Sequence, residues 1–146
     1  MNRNEFLTLS CGACLGLATA SSFILGCGGV HHVQGMLVDD RLRLAKSDFL
    51  VIKNSRSEYR RYVVTSSADL DYPIVVYRFS ETDFSALLLR CSHQGTELDV
   101  RGDLLVCPAH GSEFNVRGRV VHGPAAEDLN SFSVSVNQDG VYIHLQ

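Results

Sequence analysis

Hydrophobic positions in this chain come in short runs, and nowhere after the first thirty residues do they take the three-and-four spacing of a long amphipathic helix. β-Branched and aromatic residues cluster or alternate at 49–53, 61–65, 74–79, 84–91, 103–107, 119–122, 132–137 and 141–145. Runs of this length and make-up predict strands. Turn formers separate them: Asp71-Tyr72-Pro73, Arg101-Gly102-Asp103, Arg117-Gly118-Arg119, Gly123-Pro124 and Gln138-Asp139-Gly140. Asp139-Gly140 between two alternating runs predicts a hairpin, with the glycine expected to supply a positive φ. Residues 125–130 offer at most a turn. Eight to ten short strands in roughly 115 residues predict an all-β, antiparallel sandwich or barrel, with a core large enough to fold without structural disulfides.

The N-terminus has a different pattern. Arg3 is followed by an uncharged run at 15–25, the layout of an export signal. A membrane span needs about 20 predominantly apolar residues, and Gly12, Gly16, Ser21, Ser22 and Gly26 dilute this one, so cleavage is expected rather than permanent anchoring. Ile24-Leu25-Gly26-Cys27 resembles the lipobox of bacterial lipoproteins, which implies cleavage before Cys27 and acylation of its thiol. Acyl chains would then hold the domain at a membrane surface. The competing reading, a buried thiol ending an N-terminal helix, is opposed by the helix-breaking Gly26, Gly28 and Gly29. Asn2-Arg3-Asn4-Glu5-Phe6-Leu7 is similar to a twin-arginine export motif with Asn4 in place of the second arginine. The expected organisation is a signal peptide at 1–26, a lipidated N-terminus and tether at 27–35, and one domain at 36–146. His31 and His32 read as a solvated pair in that tether.

Composition narrows the function classes. A length of 146 residues suits one domain plus an extension. Thirteen Lys+Arg against sixteen Asp+Glu, a formal charge of -3, disfavour a nucleic-acid binder that relies on a basic face. At 45% hydrophobic and 20% charged, neither a disordered chain nor a multi-span membrane protein fits. Five cysteines are an odd count for a disulfide framework, and Cys11 and Cys14 would leave with the signal. Cys27, Cys91 and Cys107 remain.

Cys91-Ser92-His93 and Cys107-Pro108-Ala109-His110 each contribute one thiolate and one imidazole. One iron or zinc ion accepts such donors, but zinc fingers and ribbons pair like with like. A mixed pair on each of two loops suits two chemically different irons. With Gly95, Gly111, Ser112 and Gly123-Pro124-Ala125, the pattern resembles the Rieske [2Fe-2S] proteins over about residues 88 to 130. The resemblance implies a Rieske-like fold with a cluster-binding subdomain. It also implies a [2Fe-2S] cluster in which Cys91 and Cys107 hold the inner iron while His93 and His110 hold the outer one. Two ferric ions, two sulfides and two thiolates carry no net charge, so an electron is added more easily than to a four-thiolate cluster. Potentials accordingly rise from about -400 mV to between about -150 and +300 mV.

By the same resemblance, Ser112 matches a serine whose hydroxyl bonds a bridging sulfide and stabilises the reduced state. Phe114 stands where high-potential relatives have a tyrosine, and Thr96 and Ala109 where they have a disulfide. An intermediate potential is expected. His122 and His144 read as surface or strand residues.

Nothing in the chain supplies a nucleophile, a general base or a mononuclear iron triad. The leading expectation is therefore a one-electron carrier, or the small subunit of an oxidoreductase, without an active site of its own. It would work periplasmically or extracytoplasmically, lipid-anchored to a bacterial membrane through Cys27, with a cytochrome or a larger oxidoreductase subunit as redox partner. The alternatives are the ferredoxin component of a Rieske-type oxygenase system and a structural zinc module.

Overall fold

The computed structural model describes residues 29–146, so the expected signal at 1–26 and Cys27 lie outside the described residues. Strands β1 (His32–Gln34), β2 (Met36–Val38) and β3 (Arg41–Leu44) lead through a 3-10 turn at Lys46–Phe49 to the hairpin β4 (Leu50–Lys53) and β5 (Arg56–Tyr59). Then come β6 (Tyr62–Ser66), β7 (Ile74–Arg78) and β8 (Phe84–Leu88). The short strands β9 (Asp99–Arg101), β10 (Leu104–Val106), β11 (Glu113–Asn115) and β12 (Val120–His122) precede β13 (Ser131–Val136) and β14 (Val141–His144). The all-β expectation is met.

Eight strands form one sheet in the order β1, β6, β7, β8, β13, β14, β3, β2, and four form a second in the order β12, β11, β10, β9. In the large sheet β1 and β2 sit on opposite edges although Gly35 alone joins them, so the sheet curls into a nearly closed barrel. At this seam the Gly35 N–H donates to Thr65 Oγ1 at 3.2 Å, and a Cβ at position 35 would fall 2.5 Å from Leu42 Cδ1. Only a glycine lets the chain cross there.

The uninterrupted apolar runs of β7 and β8 are explained by burial on both faces. Ile74, Val76, Ala86 and Leu88 point into the barrel with Leu42, Leu44, Val141 and Ile143. Val75, Tyr77 and Leu87 point the other way, into a second core with Leu105, Phe114, Cys91 and Cys107. That second core joins the barrel to the four-stranded lobe. Tyr77 Oη donates to the Gly102 carbonyl at 3.0 Å, and Arg61 pairs with Asp103 at 2.7 Å. Arg117 grips both oxygens of Asp83 at 3.0 and 2.6 Å. Gly118, with φ +81, fits under Leu87 where a Cβ would meet Leu87 Cδ2 at 2.8 Å.

Three findings depart from the sequence reading. The hairpin at Asp139-Gly140 forms, pairing Val136 with Val141, but Gly140 is not among the glycines with positive φ. Glycine is needed there for space, because a Cβ would lie 2.5 Å from the Leu44 carbonyl oxygen. Secondly, residues 32–34 of the expected tether are strand β1, paired in parallel with β6. Thirdly, β2, β3, β5, β9 and β11 lie outside the predicted runs; β3 is Arg-Leu-Arg-Leu, an alternation the sequence reading missed, whereas β5 is Arg-Ser-Glu-Tyr, exposed at every position, and so carries no alternation to read.

Candidate metal centre

Two loops at the tip of the lobe have the same backbone geometry. Following β8, the Cys91 N–H donates to the Thr96 carbonyl at 2.8 Å and the Gly95 N–H to the Cys91 carbonyl at 2.8 Å. After β10, the Cys107 N–H donates to the Ser112 carbonyl at 2.8 Å and the Gly111 N–H to the Cys107 carbonyl at 2.9 Å. Each loop is closed by a glycine four residues after its cysteine, with φ +76 at Gly95 and +77 at Gly111, values that other residues adopt only at a cost. The shared C-x3-G spacing was visible in the sequence as the signal for this repeat. The histidines break the symmetry, since His93 is two residues after its cysteine and His110 three.

The repeat sorts the donors by depth. Cys91 and Cys107 are 2% and 1% exposed in the lobe core, both as free thiols. His93 and His110 are exposed at the tip, their rings 5.1 Å apart and nearly perpendicular at 87°. Burial, the largest single influence, pushes the Cys107 thiol up; N–H groups of His110 and Ala109, with side-chain bonds from Cys91 and Thr96, more than offset it. The thiol therefore lies below its ordinary value.

Ser112 is fully buried, and its Oγ accepts a hydrogen bond from the Ala125 N–H at 3.0 Å. Accepting there leaves the hydroxyl hydrogen to be donated elsewhere. Phe114, also fully buried, packs among the same core residues as the thiols. Sequence reasoning missed Ser92, whose Oγ donates to the Glu127 carbonyl at 2.6 Å. Loop 123–130 therefore straps both donor loops, holding one through Ser92 and the other through Ser112. No local pattern signals this contact, which spans 35 residues. Beside the first loop is an open cleft of about 410 Å³, bordered by Arg90, His93, Gln94, Glu127 and Asp128. Of the remaining histidines, His122 is exposed in β12, and His144 in β14 shares a 2.9 Å hydrogen bond with Ser135 Oγ.

The donor arrangement fits a binuclear cluster. Two buried thiols and two exposed imidazoles on adjoining loops are donors of the kind a binuclear iron cluster takes, and the Ser112 hydroxyl hydrogen is left for a buried acceptor.

A family model described as Rieske [2Fe-2S] domain matches residues 48–133. No curated protein matches the chain. Among solved structures, the chain is similar to the plasma membrane Rieske protein PetC3 of the cyanobacterium Synechocystis PCC 6803, at 26% identity over 57% of this chain and 85% of that one, with a TM-score of 0.49. It is also similar to a chain in the complex of reduced oxygenase and oxidized ferredoxin in carbazole 1,9a-dioxygenase, at 29% identity over 56% and 78% of the two chains and a TM-score of 0.45.

Proposed function

Since the chain belongs to the Rieske [2Fe-2S] domain family, whose cofactor is a [2Fe-2S] cluster serving electron transfer, we propose that it is a membrane-tethered one-electron carrier or the small electron-transfer subunit of an oxidoreductase. In this reading Cys91 and Cys107 hold the inner iron, and His93 and His110 the outer one. When bound, the cluster supplies a site that takes up and gives back a single electron. The observation that carries the reading is the sorting by depth of the two matched loops, thiols in the core and imidazoles at the rim.

Each part of the chain then has a task. The lobe core keeps water from the thiolates, and strong thiolate donation suits the iron that stays ferric. The exposed His93 and His110 would hold the outer iron near the surface, and the His93 edge beside the cleft would offer an electron a short route to a docked protein. Ser112, fixed by the Ala125 N–H, presents its hydroxyl hydrogen to the added negative charge and favours the reduced state. Phe114 has no hydroxyl to add a second such bond, so the potential is expected between those of quinol-oxidising relatives and oxygenase ferredoxins. Cys27 is the proposed lipid attachment, and it places the domain on the outer face of a bacterial membrane with a cytochrome or a larger oxidoreductase subunit as partner.

Anaerobically purified protein should be coloured and, after one-electron reduction, should give a rhombic paramagnetic resonance signal with a low average g. A colourless, zinc-containing protein without a signal would contradict the proposal. Mass spectrometry of the mature N-terminus tests Cys27 separately.

A further inference from the structure

The hairpin β4–β5 has a surface that the fold leaves uncovered. Its register pairs Leu50 with Tyr59 and Ile52 with Ser57, which puts Leu50, Ile52 and Tyr59 on one face. Leu50 and Ile52 are 41% and 80% exposed, and Tyr59 is 53% exposed with the Arg78 guanidinium 3.8 Å over its ring. At the tip, Asn54 and Ser55 turn the chain with φ 51 and 61, the tight two-residue geometry that sets Lys53 directly opposite Arg56. Like charges facing across a strand pair destabilise it, and an anionic surface relieves that repulsion. The hairpin strands carry Lys53 and Arg56 against Glu58, and Lys46 and Arg60 flank them, while Arg61 is paired with Asp103, in a chain whose formal charge is -3.

The hairpin also begins and ends where the chain enters the domain. Its base is closed by the Arg60 N–H donating to the Phe49 carbonyl at 2.7 Å, two residues before Tyr62. The parallel register, His32 beside Val64, sets Val30 level with Tyr62, and both pack on the lobe core. Cys27 precedes Val30 by three residues, a reach of about 10 Å at full extension. A bilayer gripping Cys27 is therefore held close to the hairpin base.

We propose that the β4–β5 hairpin is a second, reversible contact with an anionic lipid surface, a contact that builds on the membrane-tethered reading and orients the domain on its tether. Ile52 on one face of the tip, with Lys53 and Arg56 on the other, suits a hairpin that enters the headgroup region end-on, where the apolar group reaches the acyl boundary and the cations meet anionic phosphate. Nucleic acid would use the cations but not Ile52.

The chain has no tryptophan, so Ile52→Trp installs a single fluorescent reporter and Val121→Trp a control on exposed β12. The full chain carrying either change is added to vesicles containing phosphatidylglycerol and to vesicles of phosphatidylcholine alone. Co-sedimentation reports the tether; the emission maximum and quenching by brominated lipid report the residue. The Ile52→Trp reporter should shift to the blue and be quenched on the anionic vesicles only, while the Val121→Trp control stays aqueous. Lys53→Gln and Arg56→Gln should each lower the partition constant of the reporter by about fivefold. An Ile52→Trp reporter that stays aqueous while the chain sediments overturns the hairpin contact and leaves the tether standing. A blue shift that follows protein concentration rather than lipid assigns the face to a second copy of the chain and likewise overturns the proposal. A lipid-dependent shift in a chain without acyl groups on Cys27 supports the hairpin and removes the tether.

Discussion

The barrel core and the lobe core share β6, β7 and β8 as a common wall, yet they are filled differently. On the barrel side Ile74, Val76, Leu42, Leu44 and Ile143 form an aliphatic interior, joined by Phe49 and without a functional group. On the lobe side the interior holds two free thiols beside Leu105 and Phe114, with buried Ser112 bonded to Ala125. The barrel interior is filled by apolar side chains, with the Thr65 hydroxyl bonded to Gly35 at its seam, whereas the lobe buries two thiols that, in the proposed reading, would be bound to iron. The stability of the lobe should therefore follow cluster loading and that of the barrel should not.

The largest expected effect comes from Cys107→Ala, or from removing the metal with a chelator. All iron should be lost and amide exchange should quicken through residues 91–112, while the β13–β14 amides keep their protection; uniform loss of protection would erase the distinction between the cores. Leu87→Ala and Ile74→Ala remove comparable aliphatic groups from the two sides, and each should cost about 2–5 kcal/mol in unfolding experiments. Iron loss on dilution should accelerate only in the Leu87 variant.

Ser112→Ala should lower the reduction potential by roughly 60 mV, equivalent to about 1.4 kcal/mol for one electron, in a redox titration followed by absorbance. Ser92→Ala releases the first loop from the Glu127 carbonyl, and the cluster should be lost faster by an amount corresponding to about 1 kcal/mol, with Ser92→Thr restoring retention.

The smallest effect belongs to the surface clamp between barrel and lobe. A side-chain hydrogen bond from Arg117 holds the Asp83 carboxyl below the usual carboxylate range. A depressed carboxyl stabilises the fold above its unfolded-state value and loses that contribution as pH falls through the folded value. Asp83→Asn should therefore flatten only the acid limb of a stability-against-pH curve and leave the potential unchanged.

The strands with a distinct apolar signature were legible before the structure: β4, β6, β7, β8, β10 and β12 to β14 all lie within or against the predicted runs. Three-residue strands such as β9 and β11 are too short to show a period, and β1 is defined by parallel pairing with β6, some thirty residues away. Cys91, His93, Cys107 and His110 were singled out by residue type and spacing and Ser112 by the family resemblance, and the structure puts all five on two adjoining loops. The strap through Ser92 and Ala125 was not, because it depends on where loop 123–130 is laid down by β12 and β13. Gly140 shows a related limit: the turn was readable from its residues, whereas the closeness of the Leu44 carbonyl, a tertiary fact, was not.

The central claim is that one iron is held by buried sulfur and the other by exposed nitrogen. Nitrogen hyperfine coupling in the reduced protein tests this most directly. Two inequivalent imidazole nitrogens should couple to the unpaired electron, with one coupling lost in His93→Cys and the other in His110→Cys. A reduced spectrum without nitrogen coupling, or one unchanged by both substitutions, would contradict the account.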